Sequence, residues 1–325
     1  MKDFLLNTLL FFCSLLFILI VAEFGIRIVS DNVKIYDIEM HKYAKKLKVK
    51  SEVLGLTHEH LKGSEATLMG VNVKTNSLGF RDEALLLKDS NEYRVVLVGS
   101  SITMGWGVER DSVCDLVVER ELKNDSLFIN VVNTGIGNYN TKLQAIRFDK
   151  FIDSLSADMV VLHYFLNDAE EIVSNDQNIL IKHSYLAAYI YVKLKQFLVT
   201  KSGEFRSIGG YYKNLYSKDS RGWNEAQQSI LKMQNKCQSL GVEFILMIQP
   251  DLHDLSKESP QFECHRRISD FAVQHNIKVL DLFLNYSESV SLPSEIWVNH
   301  DDPHPNAQGH RIIGKALSQY LKAID

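Results

Sequence analysis

A chain of 325 residues with 46% hydrophobic and 23% charged side chains has ordinary globular composition and leaves no room for extensive disorder. Its formal net charge of -4 supplies no concentrated positive field, which removes nucleic acid from the expected partners. Four cysteines are too few for a disulfide scaffold and lack the Cys-x-x-Cys spacing of a zinc site.

From Phe4 to Ala22 the chain reads FLLNTLLFFCSLLFILIVA, without a charge. About 19 residues at 1.5 Å rise nearly match a ~30 Å hydrocarbon core. A cleaved signal peptide would have a shorter apolar stretch and a small-x-small site. Here the run continues into Glu23-Phe24-Gly25-Ile26-Arg27, so residues 1–27 read as an uncleaved single-pass signal anchor. Secretion after cleavage is the alternative. Lys2 ahead of the span favours a cytoplasmic N-terminus and an extracytoplasmic, periplasmic remainder. Lys42, Lys45, Lys46, Lys48 and Lys50 argue the other way, but they begin about 20 residues past the span, at the limit of the rule.

Residues 28–90 form a polar lead-in without strong periodicity, with turn chemistry around Gly79 in Asn76-Ser77-Leu78-Gly79-Phe80-Arg81-Asp82. From Tyr93 the pattern changes. Short apolar, β-branched runs at 94–99, 128–132, 159–163, 242–248 and 277–282 read as buried parallel strands. Helical spacing lies between and after them, at 111–122 (Asp111 as N-cap), 141–152, 223–240, 262–275 and 307–324. This alternation predicts one α/β domain over 91–325, a parallel sheet covered by helices on both faces. Cys237 and Cys264 read as buried apolar thiols rather than a pair. An insertion at about 169–222 interrupts the pattern. It holds an apolar helix, Ser184–Leu194, then a Gly- and Tyr-rich loop through Gly209-Gly210-Tyr211-Tyr212. A lid or substrate wall and a purely structural excursion both fit it.

Four segments carry chemistry. Ser101 follows the first strand in Gly99-Ser100-Ser101, where a tight turn can expose a hydroxyl. Asn133-Thr134-Gly135-Ile136-Gly137-Asn138 after the second strand offers accessible backbone N–H groups, though taken alone it reads better as an ordinary strand-to-helix turn. Asn167-Asp168 after the third strand places an amide where negative charge could develop, or caps a helix. In Asn299-His300-Asp301-Asp302-Pro303-His304-Pro305, two prolines fix the backbone around His304, and Asp301 stands three residues before it. Rigid placement of a histidine beside an aspartate seldom serves packing.

Taken in order, these segments resemble the four blocks of the SGNH or GDSL hydrolases, from about Arg94 to the C-terminus. Asn-Ser-Leu-Gly-Phe-Arg at 76–81 is similar to a lead-in of many anchored bacterial members. The resemblance implies a flavodoxin-like three-layer α/β/α sandwich with a central parallel sheet, here with an N-terminal transmembrane helix. It implies ester hydrolysis without metal or organic cofactor, on a small-molecule or glycan ester such as an O-acetylated carbohydrate. Ser101 would be the nucleophile, His304 the base and Asp301 its orienting acid. The backbone N–H of Ser101, the N–H of Gly137 and the side-chain amide of Asn167 would form the oxyanion hole. Two positions depart from the family pattern. Ser100 stands where an aspartate is usual, and an ungapped match puts Asn138 where the N–H-donating glycine is usual. An O-acyltransferase, a lysophospholipase or a catalytically silent glycan-binding protein would share these features.

Overall fold

The computed structural model describes residues 1–123, 128–172, 179–202 and 208–324. Its contacts divide the chain into two units, 1–45 with 175–204, and 46–174 with 205–325. The parts of the insertion at 173–178 and 203–207 lie outside the described residues.

In the first unit, α1 (Lys2–Asn32) is one uninterrupted helix, long and apolar enough to cross a membrane. Its apolar side chains are exposed along its length, Phe4, Leu9, Phe12 and Phe17 among them. It is followed by α2 (Tyr36–Lys46). From the insertion come α6 (Ile179–His183) and α7 (Tyr185–Ser202). Glu23 of α1 accepts from the Ser184 hydroxyl (2.7 Å) and from the Tyr185 and Leu186 N–H groups (3.1 and 2.9 Å). A carboxylate of one helix thus caps the start of another, satisfying N–H groups that have no partner within α7.

The second unit begins with two small antiparallel pairs. They are β1 (Lys48–Lys50) with β2 (His58–His60), and β3 (Glu65–Leu68) with β4 (Val71–Lys74). The main sheet follows, with β5 (Glu92–Gly99), β6 (Phe128–Asn133), β7 (Met159–Phe165), β8 (Glu243–Gln249) and β9 (Lys278–Asp281). All pairs are parallel and the spatial order is β6-β5-β7-β8-β9. This is the flavodoxin-like order, and the runs that read as buried strands are the strands found.

Alternation along each strand feeds two cores. Val96, Val98, Val160, Leu162, Leu246 and Ile248 pack into one cluster, and Val95, Leu97, Val161, Ile245 and Met247 into the other. Against the first lie α5 (Thr141–Leu155), α8 (Ile208–Leu215), α9 (Arg221–Leu240) and α10 (Gln261–Gln274). Against the second lie α4 (Cys114–Leu122), α11 (Phe283–Ser287) and α12 (Ala307–Ile324). Burying each such side chain contributes about 1.5–3 kcal/mol, so the two apolar faces hold the three layers together. A short helix, α3 (Ser101–Met104), follows β5, and a hairpin of β10 (Trp297–Asn299) and β11 (Asp302–Pro305) precedes α12. Cys114, Cys237 and Cys264 are buried free thiols.

Two local expectations fail. Val113, not Asp111, is the N-cap of α4, because 110–112 form a separate 3-10 turn. Residues 208–215 are helical rather than a loop, although two glycines disfavour helix intrinsically. Gly209 lies against Pro260, where a Cβ would come within 2.5 Å of the ring, and this close approach is a reason for glycine there.

Candidate active site

In open parallel sheets ligands bind beyond the carboxyl ends of the strands, at the point where the strand order reverses. Here that point lies between β5 and β7, whose ends carry Ser101 and Asn167.

The turn from β5 into α3 is tightly built. A Cβ on Gly99 would stand 1.9 Å from the Thr103 hydroxyl and 3.0 Å from the His163 carbonyl, so only glycine lets the strand end here. Ser101 is the first residue of α3. Its backbone N–H is among the orphan donors of a helix start and has no partner among the described residues.

The Ser101 hydroxyl is 2.8 Å from His304 Nε2. On the other side of the ring, His304 Nδ1 is 2.6 Å from Asp302 Oδ1. The second carboxylate oxygen of Asp302 accepts the Trp106 indole N–H at 2.8 Å. Asp302 is fully buried. Burial works against its ionisation, but the bonds and charge of His304 and the Trp106 bond outweigh it and hold the carboxyl below its usual range.

The carboxylate that meets the His304 ring is therefore Asp302, not Asp301 as expected from the sequence. Residues 302–305 are a strand, in which positions i and i+2 share a face. Asp302 and His304 therefore face the same way. Asp301 lies in the hairpin turn, 3.8 Å from the His300 ring instead.

Trp106 was not singled out from the sequence, although Met104-Gly105-Trp106-Gly107 lies in the same block as Ser101. Gly107 explains how the block meets the histidine hairpin. It has φ +70°, and a Cβ there would stand 2.4 Å from Val298 on β10. The lead-in also reaches the site. Arg81 is buried and donates to the carbonyls of Met104 (3.2 Å), Gly105 (2.5 Å) and Val108 (2.7 Å), just past α3. Asp82 accepts from Arg110 (2.7 Å) and from the Asn133 N–H (2.8 Å), tying the second block to the first. Burial and neighbouring Asp115 push its carboxyl up to about 6.

On the second block, the Gly137 carbonyl accepts from His58 at 3.0 Å when that ring nitrogen carries the proton. The Gly137–Asn138 peptide bond is trans, so the N–H of Asn138 points opposite to that carbonyl. Asn138 has φ +64°, a conformation that glycine usually supplies, and its N–H has no partner among the described residues. Its side chain accepts from Lys48 at 2.5 Å. Asn167 lies in a 3-10 turn just after β7, and its side-chain amide also lacks a partner among the described residues. Phe165 is the N-cap of that turn, and Asp168 at its third position accepts the Phe165 N–H, the capping contact expected of this pair. Asp168 is buried, accepting from Gln144 (2.8 Å) and the Phe165 N–H (3.2 Å). Burial pushes it up to about 7, against those bonds and one from Ser100. Ser100 thus stands beside a buried acid.

The chain is similar to a member of the lipolytic G-D-S-L family from Veillonella parvula (14% identity, 71% of this chain and 98% of that one, TM-score 0.44). It is similar to an acetylxylan esterase from Geobacillus stearothermophilus, solved as a catalytic mutant (16%, 72% and 96%, 0.47). The lipase/acylhydrolase from Enterococcus faecalis is a third (19%, 71% and 96%, 0.43). No protein-family model and no curated protein matches the chain.

Proposed function

We propose that this chain is a membrane-anchored serine ester hydrolase of the SGNH type, removing O-acyl groups such as acetyl from a carbohydrate or similar extracytoplasmic substrate. The observation that carries the proposal is the relay of Ser101, His304 and buried Asp302, with donor and acceptor distances of 2.8 and 2.6 Å.

In the first step His304 Nε2 takes the Ser101 proton as the hydroxyl oxygen attacks the ester carbonyl. Asp302 holds Nδ1 as the donor to its carboxylate, which leaves Nε2 as the acceptor and stabilises the imidazolium that forms. The oxyanion is received by the Ser101 N–H, the Asn138 N–H and the Asn167 amide, three donors without other partners among the described residues. Asn138 takes this role in place of Gly137 because its N–H lies opposite the carbonyl that His58 engages and meets no other described group. Collapse of the tetrahedral intermediate expels the alcohol, which takes the proton from His304. Water then attacks the acyl-serine with the same histidine as base, releasing the acid and restoring Ser101. The apolar helix α1 would hold the enzyme at the membrane as a signal anchor, with the catalytic unit on the extracytoplasmic side.

The test is hydrolysis of p-nitrophenyl esters of increasing chain length and of acetylated glycans by wild type and Ser101→Ala. Acetate release that disappears in Ser101→Ala supports the reading, and undiminished release by purified Ser101→Ala refutes it.

A further inference from the structure

A second Asp-x-His pair stands in the sequence, Asp251-Leu252-His253, and it repeats the geometry of Asp302-Pro303-His304. His253 Nδ1 is 2.6 Å from Asp251 Oδ1, and the His253 N–H donates to the same oxygen at 2.8 Å. The corresponding distances at His304 are 2.6 and 3.2 Å. In both pairs an aromatic donor takes the other carboxylate oxygen. For Asp251 it is the Tyr212 hydroxyl, at 2.7 Å.

The pair lies just past the carboxyl end of β8, the edge of the sheet that binds ligands. Its loop is held firmly. The Asp251 N–H donates to Gln261 Oε1 (2.8 Å), and Gln261 Nε2 donates back to the Asp251 carbonyl (2.9 Å). Trp297 Nε1 donates to the Leu252 carbonyl at 2.9 Å, and the His253 and Trp297 rings meet edge to face at 5.3 Å. Trp297 pairs across the hairpin with Pro305, the neighbour of His304. The two histidines are thus linked through Trp297, by its ring to His253 and by its strand to the neighbour of His304.

Packing explains little of this arrangement. The Asp251 side chain is 10% exposed, yet that of His253 is 37% exposed, and its Nε2 has no partner among the described residues. A buried carboxylate with both oxygens engaged holds an imidazole whose second nitrogen faces outward unused.

We propose that the Asp251–His253 pair is a subsite for a carboxylate on the alcohol part of the ester, so that the substrate is an acylated acidic saccharide. This rests on the ester-hydrolase reading above. The His253 Nε2–H would donate a charge-assisted hydrogen bond to the ligand carboxylate, with Asp251 balancing the imidazolium from behind. The Asp251 bond and charge hold His253 above the ordinary imidazole range, against partial burial. Burial works against Asp251 ionising, but its bonds from His253 and Tyr212 keep it below the usual carboxylate range.

The experiment is titration calorimetry on the full chain carrying Ser101→Ala, which binds without turnover. The two probes are an acetylated oligogalacturonide and a neutral acetylated xylo-oligosaccharide of equal length. The acidic probe is expected to bind at least about tenfold more tightly, the size of one hydrogen bond to a charged group. Adding His253→Gln should bring the two affinities together by weakening the acidic probe, and Asp251→Asn should move the ratio the same way. Equal affinities in the parent overturn the proposal. So does binding of neither probe, or a ratio that survives His253→Gln. Loss of both probes in the folded variant also overturns it, by making the pair a brace for the loop. Labelling of wild-type Ser101 by a fluorophosphonate reports on the ester-hydrolase reading separately, because calorimetry needs no reaction.

Discussion

Replacing each of the two adjacent aspartates in turn distinguishes the roles assigned to them. In Asp302→Asn the amide keeps the size and the burial but can no longer accept freely at both oxygens. If its oxygen stays with Trp106, now 2.8 Å away, its NH2 faces His304 Nδ1 and forces that nitrogen to be the acceptor. The proton then sits on Nε2, aimed at a serine hydroxyl 2.8 Å away that must lose a proton rather than receive one. A triad locked in the wrong tautomer loses about 10⁴ in turnover, or ~5.5 kcal/mol of transition-state stabilisation. Asp301→Asn removes a charge that is 38% exposed and 3.8 Å from His300. An isolated surface contact of that kind is worth at most about 1 kcal/mol. Initial rates on p-nitrophenyl acetate, with melting curves to confirm folding, give the comparison. Asp302→Asn should fall by about four decades and Asp301→Asn by less than about fivefold. A severe loss in Asp301→Asn beside a mild one in Asp302→Asn would refute the assignment.

Three further outcomes are expected. Asn167→Ala should lower the same turnover roughly 10²–10³-fold with little change in melting temperature, if its side-chain amide is the oxyanion donor proposed above, because that amide bonds nothing else described. Arg81→Leu should lower stability by about 3 kcal/mol or more in denaturant titration, because it strands buried carbonyls after α3, whereas a surface arginine would cost a few tenths. Asp168 carries a pH signature. Its folded pKa of about 7 lies above the ordinary 3.8, so the folded state holds the proton more tightly and stability falls as pH rises from about 4 to about 7. The penalty above pH 7 is bounded by ~4 kcal/mol. Asp168→Asn should therefore gain melting temperature relative to wild type at pH 8 and lose that advantage at pH 5; an equal difference at both values contradicts burial of the carboxyl as the cause.

The central strands β5, β7 and β8 were legible because each is buried along nearly its whole length, so its sequence is a near-continuous apolar run with no competing helical stripe. His304 was legible because Pro303 and Pro305 leave it few backbone choices. The same prolines held the information that would have chosen Asp302. A residue before proline is pushed to extended backbone, which makes 302–304 a strand and puts i and i+2 on one face. The choice between Gly137 and Asn138 was left to the folded chain: an ungapped match pointed to Asn138, but only the fold shows His58, some 80 positions earlier, bonding the Gly137 carbonyl. Arg81 and Trp106 act through contacts with residues that only the folded chain brings near. Their types, a lone arginine in a turn and a tryptophan between glycines, have many ordinary uses. The second Asp-x-His was visible as a repeated tripeptide, but nothing in its surroundings announced that Asp251 would be buried and His253 would not.

The most direct measurement is the covalent state of Ser101. Full-length protein is mixed briefly with a p-nitrophenyl ester or a fluorophosphonate, quenched in acid, digested, and mapped by mass spectrometry. The account predicts the acyl or phosphonyl group on the peptide containing Ser101, absent in Ser101→Ala and strongly slowed in His304→Ala. Modification at another residue, or ester hydrolysis that proceeds while Ser101 stays unmodified, would contradict it.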